Sequence, residues 1–105
     1  MRVNANLDVA DEAIAEFCRR WHVCEFALFG SVLREDFGPE SDVDVLVRFA
    51  DEARWSLFDV LDMQDELAVI FGRKVDLLDR SAVEESKNPF RRRAILSTAQ
   101  VVYAP

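Results

Sequence analysis

The sequence predicts an α/β (α+β) fold in which a small mixed β-sheet of three to four strands packs against helices. Apolar or alternating runs at residues 23–29, 42–49 and 73–79, with a short VVY run at 101–103, carry the strand signal, and segments with apolar residues every three to four positions separate them. The 105 residues suffice for one domain with one core, 1–105, and leave no room for a separate substrate-binding domain. Anything large is therefore expected to be bound in trans.

Composition narrows the class of protein. Half of the residues are apolar (50%) and 31% are charged, which fits a folded, water-soluble chain rather than a disordered one. The net charge of -7 argues against gripping a nucleic-acid backbone, because phosphate contacts need a basic surface. It leaves room for a small nucleotide bound through a metal. The first 25 residues hold no uninterrupted apolar run, so neither a signal peptide nor a membrane span is expected, and the cytoplasm is the expected location. Cys18 and Cys24 lack CxxC spacing and read as reduced core thiols, and His22, the single histidine, reads as a helix-end residue.

In chain order, the first helix is expected from Asp8 to Trp21. Ala10, Ala13, Ile14, Phe17, Cys18 and Trp21 form its apolar stripe, with Asp8, Asp11 and Glu12 at its start and Arg19 and Arg20 at its end, as the helix dipole favours. VCEFALF at 23–29 reads as a strand buried on both faces and broken by Gly30. A short helix over about 31–35 follows, with Ser31 as N-cap, and the loop DFGPES leads into a second strand at 42–49. Ser56 to Phe71 reads as a long helix. Ser56 with Asp59 forms its capping pair, Val60, Met63, Leu67 and Ile70 its stripe, and Gly72 its stop. RKVDLLD at 73–79 is the third strand, Asn88-Pro89 opens a last helix through about Thr98, and 101–103 closes the sheet as an edge strand.

Connection lengths bear on where the polar groups lie. A dozen residues join the first two strands, so either pairing direction is open; an antiparallel pair sets Gly30-Ser31 beside Asp42. A full helix joins the second and third strands, which favours a parallel crossover and places Asp76 beside Asp44. Side chains alternate along a strand, so Asp42, Asp44 and Leu46 share one face, and Lys74, Asp76 and Leu78 share one face of the third strand.

Three carboxylates on one sheet face call for a counter-charge. Same-face neighbours on a strand stand about 6.6 Å apart, where two unit charges repel by roughly 2 to 3 kcal/mol at an effective dielectric of 20. A divalent cation reverses that sign, and oxygen-only ligands suit Mg²⁺ or Mn²⁺. The chemistry such a site serves is phosphoryl or nucleotidyl transfer. Gly30 allows close backbone approach to a phosphate, and Ser31 adds helix-start N–H groups and a hydroxyl. Arg34 and Lys74 are the candidate cations for the same phosphates. Arg91-Arg92-Arg93, the one basic run, reads as a solvated helix face rather than a contact to a nucleotide or an acidic partner. Trp21, Trp55, Phe58, Phe71 and Phe90 stand mostly at helix-core spacing.

The pattern GS, ten residues, then DxD, with a third acid on the strand after the next helix, resembles the DNA polymerase beta-like nucleotidyltransferase superfamily. The small size and the wording FGSVLREDFGPESDVDVLVRF, then FGRKVDLLD, look like its minimal nucleotidyltransferase (MNT) branch, antitoxins paired with HEPN-domain toxins. The resemblance implies the nucleotidyltransferase fold, with Gly30 and Ser31 on the triphosphate, Asp42 and Asp44 on two Mg²⁺ ions, and Asp76 as the third carboxylate that helps activate the incoming hydroxyl. It further implies transfer of AMP from ATP to a hydroxyl, a tyrosine first, of a HEPN toxin held in a hetero-oligomer. Two alternatives stay open: an antitoxin that acts by binding alone, and an enzyme modifying a small-molecule hydroxyl.

Overall fold

The computed structural model describes residues 2–4, 7–33, 38 and 41–104. Its elements run β1 (Arg2–Asn4), β2 (Leu7–Asp8), α1 (Asp11–Trp21), β3 (Val23–Phe29), a 3₁₀ turn (Gly30–Leu33), β4 (Val43–Phe49), α2 (Leu57–Phe71), β5 (Val75–Asp79), α3 (Arg80–Glu84), α4 (Pro89–Thr98) and β6 (Gln100–Tyr103). The principal sheet has the order β5-β4-β3-β6. β3 pairs antiparallel with β4 and β6, and β4 pairs parallel with β5, so the sheet is mixed, as expected.

The long helices follow their local signals. Ser56 Oγ accepts from the Asp59 N–H at 3.2 Å while the Asp59 carboxylate accepts from the Ser56 N–H at 2.9 Å, a reciprocal cap that starts α2. Gly72 ends α2 at a φ of +69°. Asn88 Oδ1 accepts from the N–H groups of Phe90 and Arg91, and Pro89 occupies the first turn of α4. His22 closes α1 in the left-handed region, its N–H donating to the Cys18 carbonyl.

Several boundaries differ from expectation: β4 begins at Val43, so Asp42 lies just before the strand, and β6 begins at Gln100. α1 begins at Asp11 rather than Asp8, because Asp8 is held extended in a β1–β2 hairpin that sequence periodicity does not register. β5 begins at Val75 rather than Arg73, because the Arg73 N–H still donates to the Ala68 carbonyl at the end of α2. The helix after β3 is a 3₁₀ turn that begins at Gly30, so Ser31 lies within its backbone and not at an N-cap; the far end of the expected 31–35 helix lies outside the described residues. The one-turn helix α3 is additional.

Helices cover both sheet faces. On one face Val43, Val45 and Val47 of β4 and Phe26 and Leu28 of β3 pack against Ile14, Phe17 and Cys18 of α1 and Met63, Leu67 and Phe71 of α2. The Phe26 ring meets Phe17 edge-on at 6.0 Å and stacks on Phe71 at 6.5 Å. On the other face Ala27, Phe29 and Leu46 pack against Val83 of α3 and Ile95 of α4. Phe58 and Phe90, expected at core spacing, are 77% and 84% exposed. Phe58 lies off the Met63–Leu67 stripe, and Phe90 lies well round α4 from Ile95. Both cysteines are free, and burial pushes the Cys18 thiol up to about 12, with Arg19 offsetting part of that. Cys24 is half-buried rather than a core residue. Among the described residues no helix is long and apolar enough to cross a membrane.

Candidate active site

The antiparallel pairing of β3 with β4 sets Phe29 opposite Asp44, so the turn that begins at Gly30 lies directly against that carboxylate. Gly30 has a φ of +74°, and a Cβ built on it would overlap Asp44 Oδ2. Val32 is fully buried in the α1–α2 core and anchors the turn from below. The Ser31 side chain and all of Arg34, two of the candidate phosphate contacts, lie outside the described residues.

Parallel pairing of β4 with β5 brings Asp44 beside Asp76, in register. The two strand starts are joined by the Val43 N–H donating to the Lys74 carbonyl at 3.0 Å. Alternation puts Asp44 and Asp76 on the α3–α4 face, while Val43, Val45, Val75 and Leu77 hold the strands down on the other. Burial raises the Asp44 pKa, and the charges of Asp76 and then Asp42 raise it further. Lys74, just before β5, points its Nζ to within 3.9 Å of Asp42 Oδ2 and is largely exposed. Its nearest described charge is thus a carboxylate of the same cluster.

Three further residues lie at the site, two of which the sequence did not single out and one, Arg91, that it read as part of a solvated run. Arg73 Nη1 donates to the carbonyls of Gly38 at 2.8 Å and Ser41 at 3.3 Å, tying the approach to Asp42 to the end of α2. Gln64 of α2 accepts from the Leu77 N–H on the outer edge of β5 at 3.0 Å. Gln64, Asp44 and Asp76 line a cavity of about 400 Å³ whose opposite wall is Arg91 and Ile95 of α4. Helical phase separates Arg91 from Arg93: Arg91 stands one turn before Ile95, the buried residue of α4, whereas Arg93 is rotated away and Arg92, three residues before Ile95, lines only the adjoining space between α3 and α4.

The donor set fits a hard divalent cation in part. It offers carboxylate oxygen only, and both the burial that chiefly raises the Asp44 pKa and the repulsion from Asp76 and Asp42 that adds to it are offset by a cation. Among the described residues no three such groups stand close enough to form a complete cage, so oxygens from a nucleotide and from water would fill the shell, the usual arrangement for Mg²⁺.

A glycine turn against a strand carboxylate, with an acid just before that strand and another on the parallel neighbour, is an arrangement suited to nucleotidyl transfer. The chain belongs to the nucleotidyltransferase domain family, whose model matches residues 10–102. Protein adenylyltransferase MntA of Thermococcus cleftensis is 35% identical over 69 residues, which cover 66% of this chain and 68% of that protein. Solved structures share the fold. A toxin–antitoxin crystallised with AMP-PNP has a chain that matches with a TM-score of 0.68 at 19% identity, over 90% of this chain and 73% of that one. The complex of a tri-AMPylated Shewanella oneidensis HEPN toxin with its MNT antitoxin matches with a TM-score of 0.60 at 19% identity, over 90% and 69%.

Proposed function

We propose that this chain is an Mg²⁺-dependent protein adenylyltransferase of antitoxin type, moving AMP from ATP onto a hydroxyl, a tyrosine first, of a HEPN-domain toxin. The observation that carries the reading is the in-register pair Asp44–Asp76 with Gly30 pressed against Asp44. The relative named MntA and the fold shared with an AMPylated toxin complex support the acceptor class.

In this reading the acceptor oxygen bonds to the α-phosphorus of ATP as the bond from that phosphorus to the bridging oxygen of the β-phosphate breaks, and pyrophosphate leaves. Asp76, the more exposed of the strand pair, takes the hydroxyl proton. Asp42, Asp44 and Asp76 would hold Mg²⁺, which when bound supplies the charge that offsets the phosphates. The Gly30 turn lets the backbone approach the triphosphate, with Ser31, Arg34 and Lys74 as its further contacts. Asp44, half-buried beneath the turn, is set by the sheet before substrate arrives, so little reordering accompanies binding.

The test is incubation with α-labelled ATP, Mg²⁺ and the HEPN partner. Label is expected on the partner and is expected to vanish with Asp42→Asn. Unlabelled partner, or equal labelling by that variant, refutes the reading, and full toxin neutralisation by an Asp42→Asn/Asp44→Asn protein would replace it with occlusion by binding.

A further inference from the structure

We propose that Arg91 of α4 is a phosphate contact of the bound nucleotide, facing the carboxylates from the opposite wall of the cavity. This rests on the nucleotidyl-transfer reading and adds a residue outside the motif to it.

The placement comes from the packing of α4. Ile95 is buried against Ala27, Phe29 and Leu46, which fixes the face of α4 turned toward the sheet. Arg91, four residues earlier, shares that face, and it lines both the 400 Å³ cavity with Asp44 and Asp76 and an adjoining one of about 200 Å³ between α3 and α4. Successive residues turn by about 100° around a helix, so the three arginines separate. Arg92 lines only the smaller cavity and its Nη1 donates to the Ser86 carbonyl at 2.7 Å, and Arg93 lines neither; Arg91, itself exposed, is the one of the three that lines the cavity of Asp44 and Asp76. With Asn88 capping the helix and Arg92 tying it back to the α3–α4 connection, the backbone that carries Arg91 is fixed.

Electrostatics then selects the ligand. The Arg91 guanidinium forms no ion pair or hydrogen bond with any described residue, although two carboxylates line the same cavity. Carboxylates on one wall and a guanidinium on the other leave space for a layer that is positive toward the acids and negative toward the arginine. A metal-chelated phosphate has that polarity. Leu78 and Ile95, which line both cavities beside Arg91, give its aliphatic stem an apolar seat and leave the guanidinium open to an incoming anion. Its planar fork suits two phosphate oxygens.

The experiment measures Mg·ATP affinity by calorimetry for the natural chain and the Arg91→Ala, Arg91→Lys and Arg93→Ala variants, with thermal unfolding as a check that each is folded. Loss of a charge-assisted hydrogen bond predicts that Arg91→Ala raises Kd about tenfold or more, that lysine recovers part of the loss, and that Arg93→Ala stays within about twofold. Equal Kd for Arg91→Ala and Arg93→Ala overturns the proposal while leaving the enzymatic reading intact. A rise confined to the KM of the protein acceptor also overturns it, assigning Arg91 to an acidic group of the acceptor. Absence of Mg·ATP binding by the natural chain would instead count against the nucleotidyl-transfer reading itself.

Discussion

Gly30 and Asp44 are in mutual contact across two strands: the Cα of one occupies the space beside the carboxylate of the other, and any Cβ there would overlap Oδ2. The glycine thus serves the carboxylate as well as the phosphate expected from its place in the turn. A left-handed φ and a blocked Cβ act together at one position.

Gly30→Ala is therefore expected to do two things. Strain at a φ of +74° should lower stability by about 1–3 kcal/mol, read from urea denaturation. Displacement of Asp44 should reduce transfer by on the order of 100-fold, since small misplacements of reacting groups are that costly. A variant with normal transfer would show that the close approach has no bearing on catalysis.

Asp44 predicts an unusual pH response in metal-free protein. Its folded pKa is raised by burial and by Asp76 and Asp42, so the folded state holds a proton more tightly than the unfolded one. In the window between the ordinary carboxylate pKa and the raised one, ν_N exceeds ν_U, and stability falls as pH rises. Above the window the full penalty remains; below it there is none. Asp44→Asn should accordingly melt higher than the natural chain at neutral pH in EDTA, with the gap closing in acid. Added Mg²⁺ should also narrow it, because the cation stabilises the ionised carboxylate. A gap that does not change with pH would mean that Asp44 holds its proton no more tightly in the folded chain than in the unfolded one.

The strands and long helices were legible because each is announced locally. Val23–Phe29 is bounded by a helix end and Gly30, and Leu57–Phe71 by the Ser56–Asp59 cap and Gly72. Asp44 and Asp76 were legible because period-two alternation and a helical crossover fix both face and neighbour, which their register bears out, whereas Asp42 falls just before β4. The direction of β3 against β4 was not, since a dozen-residue connection permits either; the structure makes it antiparallel. β1, β2 and α3 are too short for a period to register. Arg91 reads as part of a solvated basic run, and its place beside the cavity was not legible for another reason. Its meaning depends on Ile95 seating α4 on Leu46 and Phe29, a tertiary contact that a run of three arginines does not encode.

Arg73 carries the next prediction. Its Nη1 bridges the carbonyls of Gly38 and Ser41, which hold the chain just before Asp42. Arg73→Ala should lower stability by roughly 1–3 kcal/mol, as expected for hydrogen bonds to a charged donor, and weaken Mg²⁺ binding measured by titration. Lysine places one charge without the fork, so Arg73→Lys should restore only part of both losses. Unchanged Mg²⁺ affinity in the alanine variant would separate the loop anchor from the site.

Gln64 tests how the exposed edge of the sheet is managed beside the acids. β5 is an edge strand, and the outward Leu77 N–H is taken up by Gln64 Oε1 rather than left open. Gln64→Leu removes that acceptor, so stability should drop by about 1–3 kcal/mol and the Leu77 amide should exchange faster with solvent. Glutamate at the same place would accept the bond equally well but add a charge to the cavity that already holds Asp44 and Asp76. Gln64→Glu is therefore expected to be close to the natural chain in Mg²⁺ and less stable in EDTA, whereas Gln64→Leu is weakened in both. If the two variants respond alike to EDTA, the neutrality of Gln64 has no bearing on the neighbouring carboxylates, and its role ends at the strand edge.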